Sequence, residues 1–300
     1  MCDSQLTQIR FWGDDERKWE WPALPDPLPA PVIDNHCHLD FAAGPNAPTP
    51  LAALDKAASV GVSRIVQVGT DLETSIWSAK FAAQDPRVLA AVALHPNDAP
   101  EVAEQGNLDW QLAELDRLAK QPRVRAIGET GLDFFRTEEA RRGFQLESFE
   151  AHIELAKRHG VALQIHDRDA HDEVVATLKR VGAPERTVFH CFSGDTELAR
   201  VCNDNGWYMS FSGTSTFKNA PYLREAMQLA DPRLLLVETD SPFLTPEPVR
   251  GRPNAPYLMV HTVRRMAETF GRDVAELANS LTANTEAVYG SWETGLDGDA

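Results

Sequence analysis

Cysteine and long apolar runs are scarce in this chain, and each shortage excludes a class of protein. The four cysteines form no Cys-x-x-Cys pair and no regular spacing: Cys2, Cys37, Cys191 and Cys202. This argues against a disulfide framework or a zinc ribbon and favours a reducing compartment. No apolar stretch approaches the ~20 residues that span a bilayer, and Met1 to Trp21 lack the apolar segment of a signal peptide. We therefore expect a cytoplasmic protein without a membrane segment.

Positive charge is also in short supply, because 29 Lys and Arg residues face 45 Asp and Glu residues and the net charge is −16. A protein that binds nucleic acid mainly by neutralising phosphates carries a basic stripe, and the sequence shows none. Binding of long duplex by charge alone is therefore not expected. Bound divalent ions create a local positive site, so the acidic composition does not exclude a phosphate substrate.

Proline is concentrated near the start of the chain. It recurs at Pro22, Pro25, Pro27, Pro29 and Pro31, after a segment in which tryptophans lie among charges. Such a stretch can be neither a helix interior nor a central strand. We predict an N-terminal extension over residues 1–30 that lies across the surface, with its tryptophans packed on the domain.

From residue 31 onward, short apolar runs alternate with longer amphipathic ones. Eight runs have the length and composition of strands: Val32 to Asn35, Arg64 to Val68, Val88 to Leu94, Val124 to Ile127, Val161 to Ile165, Thr187 to Phe189, Trp207 to Phe211 and Leu234 to Val237. Helical periodicity lies between them, for example at Thr49 to Ala58, Leu108 to Lys120, Glu138 to His159, Ala170 to Val181 and Ala220 to Ala230.

Eight such βα units predict the α/β class and a TIM (β/α)8 barrel over residues 31–291, followed by a tail at 292–300. A doubly wound open sheet is the competing fold. Its first strand would normally lead into a glycine-rich phosphate turn, whereas here that strand leads into His-Cys-His.

Potential metal ligands lie at the ends of these strands. His36 and His38 are one residue apart, so in an extended strand both imidazoles point the same way and can reach one ion. Four more ligands each follow a short apolar run directly: Glu129, His166, His190 and Asp240. Because the catalytic groups of such barrels gather at the carboxyl ends of the strands, we expect all six to meet around one axis.

Six ligands exceed the three protein ligands and one water of a usual catalytic zinc centre, which favours two divalent ions. Glu129 is then the candidate bridge between ions about 3.5–4 Å apart, a spacing that activates water and stabilises both oxygens of a phosphoryl displacement. Asp240 is the candidate general base that takes the proton from that water. Glu129 and Asp240 are therefore the predicted catalytic residues.

Four motifs, in this order, resemble the TatD family of metal-dependent deoxyribonucleases in the amidohydrolase superfamily. They are the stretches His36 to Asp40, Gly128 to Asp133, His190 to Gly194 and Glu238 to Pro246. The resemblance spans about residues 31–290 and implies a (β/α)8 barrel that hydrolyses nucleic-acid phosphodiesters with Mg, Mn or Zn. It also implies that His36, His38, Glu129 and Asp240 hold one ion, while Glu129, His166 and His190 hold the other.

The chain departs from the common family pattern in two places. His166 is followed by Asp-Arg-Asp, where a small residue is more usual, and the loop from Gly251 to Pro256 is less basic than expected. The first departure leaves the role of Asp167 open, and the second weakens the case for phosphate contacts from that loop. The N-terminal extension lies outside the resemblance.

Polar side chains on the predicted rim loops are candidates for substrate binding. They are His95, Arg168, Arg250, Arg252 and Asn254. His95 follows a strand and is interpreted as a substrate contact or a support rather than a ligand. A planar guanidinium suits a nonbridging phosphate oxygen.

The sequence thus predicts a DNA phosphodiester hydrolase that acts as an exonuclease on ends or short single strands, without an obligate protein partner. Cleavage of an ester, amide or lactone by the same metal site is the alternative. Many relatives that work on amides bridge their metals with a modified lysine, whereas strand four here supplies Glu129. A nonenzymatic metal-binding scaffold is a third reading, which a broken ligand set would favour.

Overall fold

The computed structural model describes residues 7–12, 20–44 and 46–293. Cys2, Trp19, the side chain of Trp12 and residues 294–300 of the predicted tail lie outside the described residues. Within the described ranges, no helix combines the length and the apolar character that crossing a bilayer requires.

The described parts of the N-terminal extension, residues 7–12 and 20–30, lie on the barrel. Its strand β1 (Arg10–Trp12) pairs in parallel with β3 (Phe41–Ala43) to form a small two-stranded sheet. Further along, the Pro22 carbonyl accepts a hydrogen bond from Tyr257 Oη at 2.7 Å, and the half-buried Trp21 packs against the core. The extension therefore has fixed contacts with the domain.

Eight parallel strands form the central sheet, and their spatial order follows the chain. They are β2 (Val32–Cys37), β4 (Val62–Val68), β5 (Val88–Val92), β6 (Val124–Asp133), β7 (Ala162–Arg168), β8 (Thr187–Phe189), β9 (Tyr208–Phe211) and β10 (Leu235–Val237). All eight predicted strands are confirmed, and so is the TIM barrel.

Helices follow the strands. They are α1 (Pro50–Ser59), α2 (Leu72–Gln84), α3 (Ala99–Glu104), α4 (Leu108–Leu118), α5 (Arg142–His159), α6 (His171–Val181), α7 (Thr196–Asn205), α8 (Pro221–Leu229), α9 (Met259–Phe270) and α10 (Val274–Tyr289). The starts of four of them are set by side chains that accept backbone N–H groups, namely Thr49, Asp71, Asp195 and Asp273. α5 ends at Gly160, whose φ of 60° is the left-handed conformation that glycine adopts readily.

Strands β6 and β7 are longer than predicted. The register of β6 shifts between Ile127 and Thr130, after which Thr130 to Asp133 continue to pair with β7. Gly131 allows this close pairing, because a Cβ atom there would overlap the carbonyl oxygen of His166. The prediction that Glu129 and His166 follow the ends of their strands was therefore wrong, since both lie within strands.

Side chains close the barrel between its first and last strands, β2 and β10, which form no ladder with each other. Asn35 Nδ2 donates to Ser210 Oγ and to the Val237 carbonyl, both at 2.7 Å. The backbone N–H of Asp240 donates to the His36 carbonyl at 2.9 Å. This seam places Asp240 beside the His-Cys-His segment, although the two are far apart in the sequence.

The hydrophobic core has two parts. One lies between the strands and the surrounding helices. The other fills the barrel interior, where Ile33, Val66 and Leu89 pack with residues of the α10 end such as Tyr289. Tyr289 Oη accepts a hydrogen bond from Gln164 Nε2 at 2.7 Å, so its polar atom is satisfied. A filled interior leaves the carboxyl ends of the strands as the open face.

His152 joins α5 to the strand that leads to His95, and it makes stability depend on pH. Its Nε2 accepts the Leu94 N–H at 3.1 Å, and its Nδ1 donates to the Ser148 carbonyl at 2.6 Å. Burial lowers the pKa of His152 from 6.5 to about 4. The unfolded chain therefore gains a proton near pH 6.5, whereas the folded protein does so only near pH 4, so this group's contribution to stability is lost between those values.

We expect acidification from pH 7 to pH 4 to lower the free energy of unfolding of the wild type by about 3 kcal/mol more than that of His152→Gln. Glutamine cannot take up a proton, but its side-chain oxygen can still accept the Leu94 N–H. Urea denaturation of both proteins at a series of pH values measures the difference. Parallel pH profiles would show that His152 does not carry this dependence.

Candidate metal centre

Four side-chain atoms converge where β2, β6 and the segment after β10 meet. His36 Nε2 and His38 Nε2 lie 3.3 Å apart. Glu129 Oε2 lies 3.5 and 3.7 Å from these two nitrogens, and Asp240 Oδ1 lies 3.7 and 3.4 Å from them. Two ligand atoms bound tetrahedrally at about 2.1 Å from one zinc ion lie about 3.4 Å apart, which is close to the separations measured here. The donor set therefore fits one divalent ion.

The hydrogen bonding of His38 suits a metal ligand. Its Nδ1 lies 2.9 Å from the Val68 carbonyl oxygen. Because a carbonyl only accepts, Nδ1 carries the hydrogen in the neutral ring and Nε2 presents its lone pair to the site. The His36 ring stacks on the His190 ring with centroids 3.8 Å apart, which fixes the orientation of the two imidazoles relative to each other.

A second group of imidazoles faces the other oxygen of Glu129. Glu129 Oε1 lies 2.8 Å from His166 Nδ1, 2.9 Å from His190 Nε2 and 3.3 Å from His95 Nε2. The carboxylate thus stands between His36 and His38 on one side and His166 and His190 on the other. This is the placement that a carboxylate bridging two ions needs, so the structure brings together all six predicted ligands.

Buried carboxylates contact two of these imidazole rings at the ring nitrogens that do not face Glu129. Glu238 Oε1 lies 3.1 Å from His190 Nδ1 and accepts the Cys191 N–H at 2.7 Å. Asp133 Oδ2 lies 3.2 Å from His166 Nε2. Such contacts set ring orientation and increase the basicity of the imidazole.

The pKa values of Glu129 and of the neighbouring histidines depend on one another. Burial by itself would raise the pKa of Glu129, but the neighbouring His190, His95 and His166 hold it well below its usual range. Burial would lower the pKa of His190, but the carboxylates of Glu129 and Glu238 raise it well above the ordinary value. Imidazolium groups thus balance buried carboxylates, and a cation bound between them would displace a proton.

The comparison with known proteins identifies the family. The family described as "TatD related DNase" matches residues 33–290. The chain belongs to the TatD family. The "Uncharacterized metal-dependent hydrolase TatD" of Mycobacterium tuberculosis is 43% identical over 263 residues, which cover 86% of this chain and 98% of the relative. YabD of Bacillus subtilis, also named as an uncharacterized metal-dependent hydrolase, is 35% identical over 86% of this chain and 98% of its own length.

A solved structure of a TatD homologue has the same fold. The crystal structure of YJJV, a TatD homologue from Escherichia coli, superposes with a TM-score of 0.78 at 29% identity and covers 86% of this chain and 97% of that one. The TatD resemblance seen in the motifs is confirmed, and the protein is a metal-dependent hydrolase.

The pocket of this TatD-family site has a volume of about 570 Å³, within the range of small-molecule sites. Two of the predicted substrate contacts, His95 and Arg168, line it. His95 Nδ1 accepts the Asn97 N–H at 3.1 Å, so in the neutral ring Nε2 carries a hydrogen that it can donate. The Arg168 guanidinium stacks on Phe135 at 4.0 Å.

The other three predicted contacts do not line this pocket, and their role in substrate binding stays a prediction. Arg250 stacks on Phe217 and Arg252 pairs with Glu20, and both line a separate surface cavity. Asn254 is buried, and its Nδ2 donates to the Thr239 carbonyl at 3.0 Å and to the Phe243 carbonyl at 2.5 Å. These bonds stabilise the turn that carries Asp240.

Asp34 is a residue of the site that our sequence interpretation did not include. Its Oδ1 accepts the Thr239 N–H at 2.9 Å and its Oδ2 accepts the Thr239 hydroxyl at 2.5 Å. Complete burial raises the pKa of Asp34 to about 8, against the lowering effect of the Thr239 hydrogen bonds. A carboxyl group inside an apolar strand was the available signal, because such a group is rarely buried without a partner.

Proposed function

We propose that this protein is a phosphodiester hydrolase that removes nucleotides from DNA ends or short single strands and uses two divalent ions. The observation that carries the proposal is the position of Glu129, whose two oxygens face different pairs of imidazoles. Two ions held on either side of one carboxylate would supply the arrangement used in in-line displacement at phosphorus. Cytoplasmic location and the absence of an obligate partner stay predictions.

The ligand sets are proposed as predicted. His36, His38, Glu129 and Asp240 would hold one ion, and Glu129, His166 and His190 the other. Ions in these places would polarise a phosphate oxygen and make water a better nucleophile. Asp240 lines the pocket, and we assign its carboxylate as the acceptor of the proton that the attacking water loses.

The remaining pocket side chains would orient the substrate. Arg168 presents a guanidinium that suits a nonbridging phosphate oxygen, and His95 can donate a hydrogen bond from Nε2. Phe135, which stacks on the pocket-lining Arg168, is 63% exposed, and an exposed aromatic ring is a surface on which a base can stack.

The preference for DNA ends follows from the volume of the pocket and from the net charge of the protein. A pocket of about 570 Å³ accommodates a terminal nucleotide rather than a long segment. The net charge of −16 disfavours extended contact with a polyanion. Binding would then depend on a few contacts made inside the pocket.

Metal removal tests the proposal. We expect protein treated with a strong chelator to lose cleavage of end-labelled DNA oligonucleotides, to stay folded by circular dichroism, and to regain activity with Mg, Mn or Zn. The barrel core is apolar and does not depend on the ions, so the fold should persist. Stepwise shortening of a labelled single strand supports the exonuclease assignment. Cleavage that survives verified metal removal would contradict the mechanism, and internal cuts would contradict the preference for ends.

A further inference from the structure

The N-terminal segment at residues 7–12 reaches the metal pocket. It is held against the loop after β2, because the backbone N–H groups of Ile9 and Arg10 both donate to the Asp40 carbonyl, at 3.0 and 3.1 Å. Trp77 Nε1 donates to the Thr7 carbonyl at 2.9 Å. Since the family match covers residues 33–290, this segment is an addition to the matched barrel.

The segment delivers one charged side chain to the pocket. Arg10 lines the same pocket as Glu129, Asp240 and His166. Its Nε donates to Asp40 Oδ2 at 2.6 Å, and its Nη1 donates to Thr70 Oγ1 at 2.9 Å. The guanidinium also lies over the Phe41 ring, 4.6 Å from the centroid. These contacts fix the orientation of the group.

The guanidinium still has donors to offer. Its Nη2 is buried and has no hydrogen-bond partner among the described residues, which leaves a strong donor unsatisfied. The Asp40 side chain is fully buried and also accepts from Gln67 Nε2 at 2.9 Å. Asp40 is not among the pocket-lining residues, so only the guanidinium of this ion pair lines the pocket. A fixed, incompletely satisfied guanidinium is pre-organised to bind an oxyanion.

We propose that Arg10 is a substrate-binding residue that contacts the phosphate group of the substrate in the metal pocket. The choice of phosphate rests on the proposed phosphodiesterase function. Arg136 and Arg168 line the same pocket, so the N-terminal segment completes a set of three guanidinium groups around the metal ligands. The extension is thus part of the substrate site and not only a surface covering.

Arg64 provides a matched control. The side chains of Arg10 and Arg64 are each 25% exposed. Arg64 also pairs with a carboxylate, Glu286 at 2.7 Å, and also lies over an aromatic ring, Trp292 at 5.0 Å. It does not line the metal pocket. Loss of either arginine therefore removes similar structural contacts, but only Arg10 faces the metal ligands.

The test uses full-length, metal-loaded protein and inorganic phosphate as the probe. Calorimetric titration of Arg10→Ala and Arg10→Gln should show phosphate affinity reduced about 10- to 100-fold, the range for losing a charged hydrogen bond. The KM for a short oligonucleotide should rise more than kcat falls, with metal content unchanged. Arg64→Ala should match the wild type.

A second measurement needs no variant. Phosphate should protect Arg10, and not Arg64, from modification by phenylglyoxal, as read by mass spectrometry of the wild type. Unchanged phosphate affinity in folded Arg10 variants, or no protection of Arg10, would overturn the proposal. If the wild type cleaves no DNA while phosphate binding still depends on Arg10, the phosphodiesterase assignment fails and the role of Arg10 stands.

Discussion

Replacing Asp240 by asparagine is expected to lower turnover by about 10²–10⁴-fold while most of the metal remains bound. Asp240 Oδ1 lies 3.7 Å from His36 Nε2 and 3.4 Å from His38 Nε2. The asparagine oxygen can occupy the same place and still contact the ion, whereas the amide cannot accept the proton of the attacking water. We therefore expect this variant to lose turnover but to keep most of its metal.

The experiment compares steady-state rates and elemental analysis for Asp240→Asn with those for Asp204→Asn. Asp204 is an exposed residue of α7 outside the pocket, so its replacement should leave both quantities unchanged. A fall in turnover of less than about tenfold with the metal retained would show that another group accepts the proton.

Replacing Glu129 by glutamine should have a different effect, the loss of metal. A neutral amide is a poor bridge between two cations, because hard divalent ions prefer charged carboxylate oxygens. The two oxygens of Glu129 face the two imidazole groups, at 3.5 Å from His36 Nε2 and 2.8 Å from His166 Nδ1. One substitution should therefore weaken both ion sites and lower turnover at least as much as Asp240→Asn.

Glu238→Gln is the matched control for this prediction. Glu238 is also a buried carboxylate beside His190, 3.1 Å from its Nδ1, but it does not stand between the two proposed ion sites. Elemental analysis should find two ions per chain in the wild type, fewer than one in Glu129→Gln and at least one in Glu238→Gln. Full occupancy in Glu129→Gln would show that this carboxylate is not the bridge.

The metal ligands could be predicted from the sequence because the patterns that indicate them are local. Alternation along a strand places His36 and His38 on one face, and the barrel rule gathers strand ends at one rim. The lengths of β6 and β7 could not be predicted from the sequence. The extra pairing depends on a register shift after Ile127 and on the close approach of Gly131 to the His166 carbonyl, which is an interaction between two strands and leaves no pattern within either.

By itself, the sequence determined the eight strands, the barrel class and the six side chains that meet at its rim. Short-range periodicity encodes the strands, and the ligand motifs overlap or follow their carboxyl-terminal parts. The tertiary structure decided which arginine side chains line the pocket beside those ligands. It brought Arg10 into the pocket through contacts with Asp40 and Thr70 and placed Arg250 and Arg252 beside another cavity. Such placements depend on pairings between distant segments, whose geometry exists only once the barrel has closed.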